Sequence, residues 1–308
     1  MLRSAILAAA RNDGLKHLVS TAPLSRGLVR RYVAGSAPDD AVRVTRELTG
    51  QRLAVSLDHL GEDTTEPAHA AATARAYQDL LGQLAAEGLT GRAGAEVSVK
   101  LSAIGQALDE DLALRHARDI CAAAQAAGTT VTLDMEDHTT TDSTLSILGK
   151  LRQDYPDTGA VLQSYLKRTE DDCKALAYAG SRVRLCKGAY QEPPEVAYTD
   201  PHEVDRAYVR CLNILMAGEG YPMVATHDPR LVAIAAERAR WYGRRPGSYE
   251  YQMLYGVRSD EQRRLAERGE TMRVYVPYGE EWYGYLMRRL AERPANLSLF
   301  LRSVVSSK

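Results

Sequence analysis

Two segments of the sequence combine cationic residues with small or aromatic ones in a way that suits binding of an anionic ligand. The first is RLCKGAY, in which Arg184 and Lys187 precede Gly188 and Ala189. Glycine and alanine let the backbone approach a ligand closely, while the cations can meet a phosphate or a reduced, anionic ring. The alternative for this segment is a surface turn with two solvated cations.

The second segment is YLMRRLAE, which places Tyr285, Arg288, Arg289 and Glu292 three and four residues apart. Such spacing puts side chains on one face of a helix. Two adjacent arginines beside a tyrosine suit bidentate capture of a small carboxylate. Alternatively, Arg288 and Glu292 form an exposed ion pair, which is a common arrangement on helix surfaces.

The alternation of predicted strands and helices along the sequence indicates the fold that positions these two segments. After Gly50, eight short apolar or alternating runs alternate with helical segments, among them Asp205–Met216 and Pro229–Trp241. The runs are Arg52–Leu57, Glu96–Leu101, Thr129–Asp134, Ala160–Leu166, Arg182–Cys186, Pro222–Thr226, Tyr249–Met253 and Met272–Val276. This pattern predicts a parallel (βα)8 barrel of the α/β class, preceded by helices and followed by an extra helix over Trp282–Ser303. The rival is a doubly wound sheet, which usually has a glycine-rich turn after its first strand, where this sequence has DHLGED.

Catalytic groups of such barrels gather at the carboxyl ends of the strands. Every run supplies polar residues there, namely Asp58 and His59, Lys100 and Ser102, Asp134 and Glu136, Gln163, Arg184 and Lys187, Thr226 and His227, Gln252, and Tyr275. Polar side chains are costly to bury without partners. So many of them converging on one rim favours a binding site over a few satisfied core groups.

Composition excludes several classes of protein. The 308 residues carry a net charge of -1, with 45% hydrophobic and 26% charged residues, which excludes a disordered chain and argues against a nucleic-acid-binding surface. The four cysteines have no CxxC spacing, so we expect neither a structural metal nor disulfides, and we expect a reducing, cytoplasmic environment. No apolar run reaches 18 residues, so no membrane-spanning helix is expected.

Seven segments, in chain order, resemble the strand-end motifs of the FAD-dependent proline dehydrogenase family. They are VSVKLSAIG, TLDMED, VLQSYL, RLCKGAY, ATHD, EYQMLYGV and RVYVPYGEEWYGYLMRRLAERPANL. The similarity runs from about Arg30 to about Arg302, and the length is similar to that of the short monofunctional bacterial members. The resemblance implies one catalytic domain over 1–308: a helical arm to about 48, a distorted (βα)8 barrel over about 50–280 and a lid helix over about 281–303 at the barrel mouth.

The resemblance also implies an activity. Family members oxidise L-proline to Δ1-pyrroline-5-carboxylate, the first step of proline catabolism to glutamate, and pass electrons from FAD to a membrane quinone. We therefore expect non-covalent FAD, a quinone acceptor, a separate pyrroline-5-carboxylate dehydrogenase as a partner, and a cytoplasmic location peripheral to the inner face of the membrane. Two alternatives remain: a Schiff-base aldolase using Lys100 or Lys187, and a non-enzymatic amino-acid-binding protein.

Residue roles follow from the same resemblance. Lys100, Arg288 and Arg289, with Tyr285 beside them, would hold the proline carboxylate. Tyr275 and Leu254 would pack on the ring, and Asp134 would orient Lys100 and Tyr275. Asp134 and Arg184 form the predicted catalytic pair, with Arg184 near the flavin N5. The remaining predicted FAD contacts are Met135, Gln163, Lys187, Gly188, Ala189, Thr226 and His227.

The loop after the first predicted strand and two positions on the cofactor side add further expectations. The loop LGEDTTE is acidic, so we expect Glu62 or Glu66 to latch the lid by pairing with Arg288 or Arg289. The sequence departs from the family pattern at Asp228, where many relatives have Asn, and at Gln191, where some have Trp. Neither residue belongs to the predicted substrate set, but both leave the FAD contacts open.

Overall fold

A closed barrel of eight parallel strands forms the centre of the molecule, as the sequence predicts. The computed structural model describes residues 29–91 and 93–292. The strands are β1 Ala54–His59, β2 Ala95–Val99, β3 Val131–Leu133, β4 Gly159–Gln163, β5 Arg182–Cys186, β6 Tyr221–Ala225, β7 Glu250–Leu254 and β8 Met272–Tyr278. Each strand pairs with the next in chain order, and β8 closes the barrel against β1. Every residue of β2 and β4 is buried, which is typical of parallel strands covered on both faces.

Among the described residues, a short helix at 29–32 and one longer α-helix precede the barrel, and one α-helix follows each strand. The longer α-helices are α1 Pro38–Thr49, α2 Pro67–Ala86, α3 Glu110–Ala126, α4 Thr141–Leu151, α5 Thr169–Leu176, α6 Pro201–Ala217, α7 Pro229–Trp241, α8 Ser259–Glu267 and α9 Trp282–Glu292. Three of these helices have an aspartate as the N-cap residue, namely Asp109, Asp200 and Asp228. Each of these side chains accepts a hydrogen bond from the backbone N–H of the residue two positions later in the chain. No helix within the described ranges is long and apolar enough to cross a bilayer.

The observed helices differ from the predicted ones in a few places. The sequence predicts that α6 begins at Asp205, but it begins at Pro201, because Asp200 caps it and a proline at the first helical position loses no hydrogen bond. Of the predicted arm over 1–48, the structure describes residues 29–48, which include a short helix at 29–32 and most of α1. The part of the predicted arm before residue 29 and the part of the predicted lid helix after 292 lie outside the described residues.

The final helix, α9, lies at the barrel mouth. Its Arg288 contacts Glu62, which follows the carboxyl end of β1, with Nη2 of the arginine 2.5 Å from Oε1. A buried face of α9 includes Tyr283, Tyr285 and Leu286. This placement distinguishes α9 from the outer ring of helices and confirms the distorted barrel that the sequence predicts.

An ionic layer fills the amino-terminal part of the lumen. Arg273 donates to Glu250 from Nε at 2.8 Å, and Arg182 donates to Glu96 from Nη2 at 2.5 Å. Burial alone would raise the pKa of Glu96, but the guanidinium groups of Arg182, Arg273 and Arg184 outweigh it and hold that pKa at about 2. The layer is therefore a charged floor, in which each buried ion is compensated by partners of opposite sign.

We predict that Glu250→Ala lowers the unfolding free energy by about 3–5 kcal/mol, because it removes the carboxylate to which the buried Arg273 donates two hydrogen bonds. Lys174→Ala is the control, since Lys174 pairs with Asp171 in solvent and both side chains are more than half exposed. It should change stability by less than about 0.5 kcal/mol. Urea unfolding followed by far-ultraviolet circular dichroism measures both; equal effects of the two variants would contradict the prediction.

Candidate active site

The guanidinium of Arg184 on β5 lies in the middle of the lumen, directly above the ionic floor. It is 4% exposed and donates on several sides. Nη1 donates to Asp134 Oδ1 at 2.7 Å and to Ser98 Oγ at 2.9 Å. Nε donates to Gln252 Oε1 at 2.5 Å, and Nη2 donates to Ser56 Oγ at 3.2 Å. These contacts from four other strands or strand ends fix the plane of the guanidinium.

Asp134, at the end of β3, links Arg184 to Tyr275 on β8. Its Oδ1 accepts from Arg184, and its Oδ2 accepts from the Tyr275 hydroxyl at 2.7 Å. The guanidinium carbon of Arg184 also lies 5.3 Å from the centre of the Tyr275 ring. Burial and the nearby Asp134 carboxylate raise the pKa of Tyr275 well above its ordinary value. Tyr275 therefore stays a neutral phenol, and Leu254 lies beside it in register on β7.

Lys100, at the end of β2, is held by Asp58 of β1. Nζ donates to both carboxylate oxygens, at 2.7 and 2.6 Å, while Asp134 Oδ2 lies 3.9 Å away. Asp58 is thus the nearer carboxylate partner of Lys100, and the orientation of Lys100 by Asp134, whose Oδ2 lies 3.9 Å away, stays a prediction. Burial alone would lower the pKa of Lys100, but the Asp58 carboxylate outweighs it and raises that pKa. A protonated amine is a poor nucleophile, which argues against a Schiff-base role for Lys100.

The lid is latched by Glu62. Arg288 donates to it twice, from Nη1 at 3.1 Å and from Nη2 at 2.5 Å, which confirms one of the pairings that the acidic loop predicts. Glu66 lies instead at the start of α2, where it is exposed and 3.9 Å from the ring of His69. On the same lid, the guanidinium carbon of Arg289 lies 5.1 Å from the centre of the Tyr285 ring.

The residues predicted on the cofactor side line the rim from β3 to β7. The Gln163 amide donates to the backbone carbonyl of Glu136 at 2.7 Å. Lys187 Nζ lies 2.5 Å from Asp205 and 3.5 Å from Asp228. His227 Nε2 accepts from the backbone N–H of Leu254 at 2.9 Å. The other predicted members are buried or half-buried on the same rim: Met135, Gly188, Ala189 and Thr226.

A cavity of about 350 Å³ opens beside this rim, and Tyr165, Lys187 and Gly188 contribute to its wall. Gly188 has φ +113°, and a Cβ there would lie 2.3 Å from the Tyr165 ring. Only glycine fits this backbone conformation and this close contact. Gly188 therefore packs directly against the Tyr165 ring at the cavity wall. Because Arg184 is 4% exposed, the alternative of a surface turn with two solvated cations does not describe this segment.

Comparison with known proteins decides the family. The profile described as "Proline dehydrogenase" matches residues 41–302. The chain is 35% identical to "Proline dehydrogenase 1" of Bacillus subtilis over 305 residues, which cover 99% of each chain. It is 36% identical to "Proline dehydrogenase" of Deinococcus radiodurans over 312 residues, or 99% of this chain and 98% of that one. The chain belongs to the proline dehydrogenase family.

Solved structures similar to this proline dehydrogenase family member come from longer proteins. Proline utilization A from Bdellovibrio bacteriovorus, solved after inactivation by N-propargylglycine, superposes with a TM-score of 0.78 at 26% identity over 86% of this chain. The protein of the same name from Bradyrhizobium japonicum gives a TM-score of 0.74 at 24% identity and supports the fold alone. This chain spans about a third (32%) of the length of each. The family and barrel inferred from the sequence motifs are confirmed.

One carboxylate of this family member received no role from the sequence. Glu136 stands two residues after Asp134 in TLDMED and is 7% exposed. It accepts from the Ser102 hydroxyl at 2.6 Å and from the Ser102 backbone N–H at 3.1 Å. Burial raises its pKa from about 4.5 to about 7, although the Ser102 hydrogen bonds oppose that rise. The sequence could point to Glu136 only through its position at a strand end. It could not show the contact, because Ser102 follows a different strand, β2.

We predict that Glu62→Ala raises KM for the substrate several-fold while the cofactor stays bound, because the lid loses its latch. Glu66→Ala is the matched control, since this acid lies on the same loop but does not reach the lid; its KM should remain that of the parent. Steady-state kinetics and cofactor absorbance measure both. Parent-like KM in the Glu62 variant, or equal effects of the two variants, would contradict this role for Glu62.

We also predict a pH effect from Glu136. Because its folded-state pKa lies above that of the unfolded chain, its stabilising contribution is present below about pH 4.5 and is lost as pH rises through about 7. The loss amounts to roughly 3 kcal/mol at most. Glu136→Gln stays neutral, so its stability relative to the parent should rise between about pH 5 and about pH 8. Urea unfolding at both pH values tests this, and a constant difference would exclude it.

Proposed function

We propose that this chain oxidises L-proline to Δ1-pyrroline-5-carboxylate, the first step of proline catabolism to glutamate, with non-covalently bound FAD. The observation that carries the proposal is the hydrogen-bonded group of Arg184, Asp134 and Tyr275, with Arg184 buried, beneath a mouth that carries Lys100 and the Arg288–Glu62 pair. Proline has a carboxylate at one end of a small apolar ring. A site for it therefore needs cations at one end and an apolar or aromatic wall along the ring.

The proposed substrate residues meet both needs. Lys100 keeps its charge beside Asp58, so it can attract the carboxylate together with Arg288 and Arg289 of the lid. Tyr275 and Leu254, adjacent on β8 and β7, form the proposed wall for the ring, with Tyr285 beside the arginines. Several cations around one carboxylate also favour the neutral amine, which is the form that can be oxidised. Closure of α9 through Glu62 would then exclude water.

The rim from β3 to β7 fits FAD in its chemistry. Lys187 supplies a cation for phosphate, and Gly188 lines the 350 Å³ cavity, with Ala189 next to it in the chain as a further proposed contact. Met135, Gln163, Thr226 and His227 are the other proposed contacts. When bound, FAD would supply the two-electron oxidation, so the protein needs no nucleophile. Arg184, held in place by Asp134, stabilises negative charge that develops at the acceptor.

The electron acceptor and the setting are also proposed. The resemblance of the seven sequence segments to the FAD-dependent family supports a membrane quinone as the acceptor and a cytoplasmic position at the inner face of the membrane. The product is a cyclic imine acid that opens to an aldehyde in water, so we propose a separate pyrroline-5-carboxylate dehydrogenase as the enzyme that consumes it.

We predict that the purified chain is yellow and that acid precipitation releases its FAD into the supernatant. The reason is that the sequence indicates no residue on the cofactor side that would bond covalently to the flavin. Under anaerobic conditions, L-proline should bleach the flavin absorbance in proportion to the amount added. Flavin that remains in the pellet would contradict non-covalent binding. A yellow protein that proline does not bleach would contradict the proposed reaction and would favour the amino-acid-binding alternative.

We further predict a strong preference for L-proline over trans-4-hydroxy-L-proline. A 4-hydroxyl pressed against the Tyr275 wall loses its water without gaining a partner, which costs about 1–3 kcal/mol. Tyr275→Ser should narrow the ratio of kcat/KM values, mainly by losing efficiency with proline. Tyr275→Phe is the matched control: it keeps the ring but removes the hydrogen bond to Asp134, so it should keep the ratio. An unchanged ratio in the serine variant would show that Tyr275 does not line the ring pocket.

A further inference from the structure

We propose that Glu136 is a positioning residue for substrate capture, which acts through Ser102 on the loop that presents Glu62 to the lid. The inference rests on the proposed function, since capture means binding of proline beneath the latch. It concerns a residue that touches neither Glu62 nor Arg288 through any hydrogen bond within the described residues.

The first step is the contact between Glu136 and Ser102. The two residues lie 34 positions apart and come from the ends of neighbouring strands, β3 and β2. Oε2 of Glu136 accepts from the Ser102 hydroxyl at 2.6 Å, and Oε1 accepts from the Ser102 backbone N–H at 3.1 Å. Because both carboxylate oxygens engage one residue, they fix both its position and the direction of its hydroxyl.

The second step runs from Ser102 to the loop between β1 and α2. The Ser102 hydroxyl oxygen accepts from the backbone N–H of Asp63 at 3.1 Å, and its carbonyl accepts from the backbone N–H of Thr64 at 3.3 Å. Residues 60–66 have no regular secondary structure, and Asp63 has φ +52°. A non-glycine residue keeps that left-handed conformation only where its surroundings hold it. The two hydrogen bonds to Ser102 supply that hold.

The third step is the latch itself. Glu62 immediately precedes Asp63, and its carboxylate receives two hydrogen bonds from Arg288. A bidentate arginine–carboxylate pair depends strongly on orientation. If the peptide at residue 63 turned away from its left-handed conformation, the Glu62 side chain would leave the plane of the Arg288 guanidinium.

The chemistry of Glu136 indicates a role beyond packing. No ion pair within the described residues joins its buried carboxylate to a cation, and such a group is costly to keep in a protein interior. A glutamine would be cheaper to bury, but it places an NH2 group where one of the two carboxylate oxygens accepts, so it cannot reproduce both observed contacts with Ser102. Burial raises the pKa of Glu136 to about 7, which shows the size of that cost. A carboxylate with two acceptor oxygens is therefore what the Ser102 contact requires.

Kinetics of Glu136→Gln and Ser102→Ala holoenzymes test the proposal. Each variant should raise KM for L-proline about three- to tenfold and leave kcat within about twofold of the parent, because the latch acts on capture. In a Glu62→Gln background, neither change should raise KM further, because the latch is already lost. Effects that multiply in the double variants, or a loss confined to kcat, would overturn the proposal. Ser102→Thr, which keeps the hydroxyl, should stay closer to the parent than Ser102→Ala.

Hydrogen exchange separates this proposal from the proposed function. In the holoenzyme without substrate, peptides covering residues 60–66 should exchange faster in Glu136→Gln and Ser102→Ala than in the parent, while peptides of β6 should not change. This measurement is independent of which substrate the protein oxidises. Unchanged exchange over 60–66 would overturn the proposal even if proline is oxidised. Faster exchange in a protein that proline does not reduce would support the positioning role and reject the proposed reaction.

Discussion

The burial of one guanidinium group, that of Arg184, is the constraint on which the barrel interior depends. A buried cation without partners would destabilise the fold by several kcal/mol. Asp134 compensates its charge, while Ser98, Ser56 and Gln252 accept its remaining N–H groups. Gln252 is held in turn by Glu250, which pairs with Arg273 in the floor. The orientation of the Arg184 guanidinium is thus set by contacts that extend to the opposite end of the lumen.

The site has a rigid floor and a mouth built from loops. The charged groups of the floor and of the Arg184 network come from strands or strand ends, where closed parallel pairing limits movement. Lys100 lies at the upper limit of this region, tied to Asp58 on the neighbouring strand. Above it, Glu62 and Arg288 come from a loop and from the final helix. Because loops on a rigid scaffold are generally more mobile than the strands that carry them, the barrel supplies the fixed part of the site and the mouth supplies the adaptable part.

The mouth depends on hydrogen bonds that cross between neighbouring strand ends. Glu136 holds Ser102, and Ser102 holds the loop that carries Glu62. The Glu136 backbone carbonyl also accepts from Gln163, so the same residue touches the proposed cofactor side. Glu136 therefore contacts both Ser102, on the side of the mouth, and Gln163, on the proposed cofactor side. The sequence showed these three residues only as separate polar positions after different strands.

The sequence by itself determined the class of fold, the order of the strands and the family. Strands that are buried on both faces appear in the sequence as short apolar runs, so the strands can be counted from the sequence. The observed bounds of β5 and α7 are the predicted ones. The rule that functional groups gather at the strand ends of such barrels pointed to Asp134 and Arg184, which the structure joins by a hydrogen bond. Family motifs can be read because they are local: each occupies one strand and the turn that follows it.

Only the tertiary structure decided which of these groups meet. Asp58 and Asp134 are the same residue type at equivalent strand ends, yet Asp58 holds Lys100 and Asp134 holds Tyr275 and Arg184. Glu62 and Glu66 lie in one acidic loop, yet Glu62 pairs with Arg288 of the final helix, while Glu66 is exposed beside His69. Such contacts join residues up to 226 positions apart. They depend on strand register, on barrel closure and on the path of the loops, and local sequence patterns carry no information about these distances.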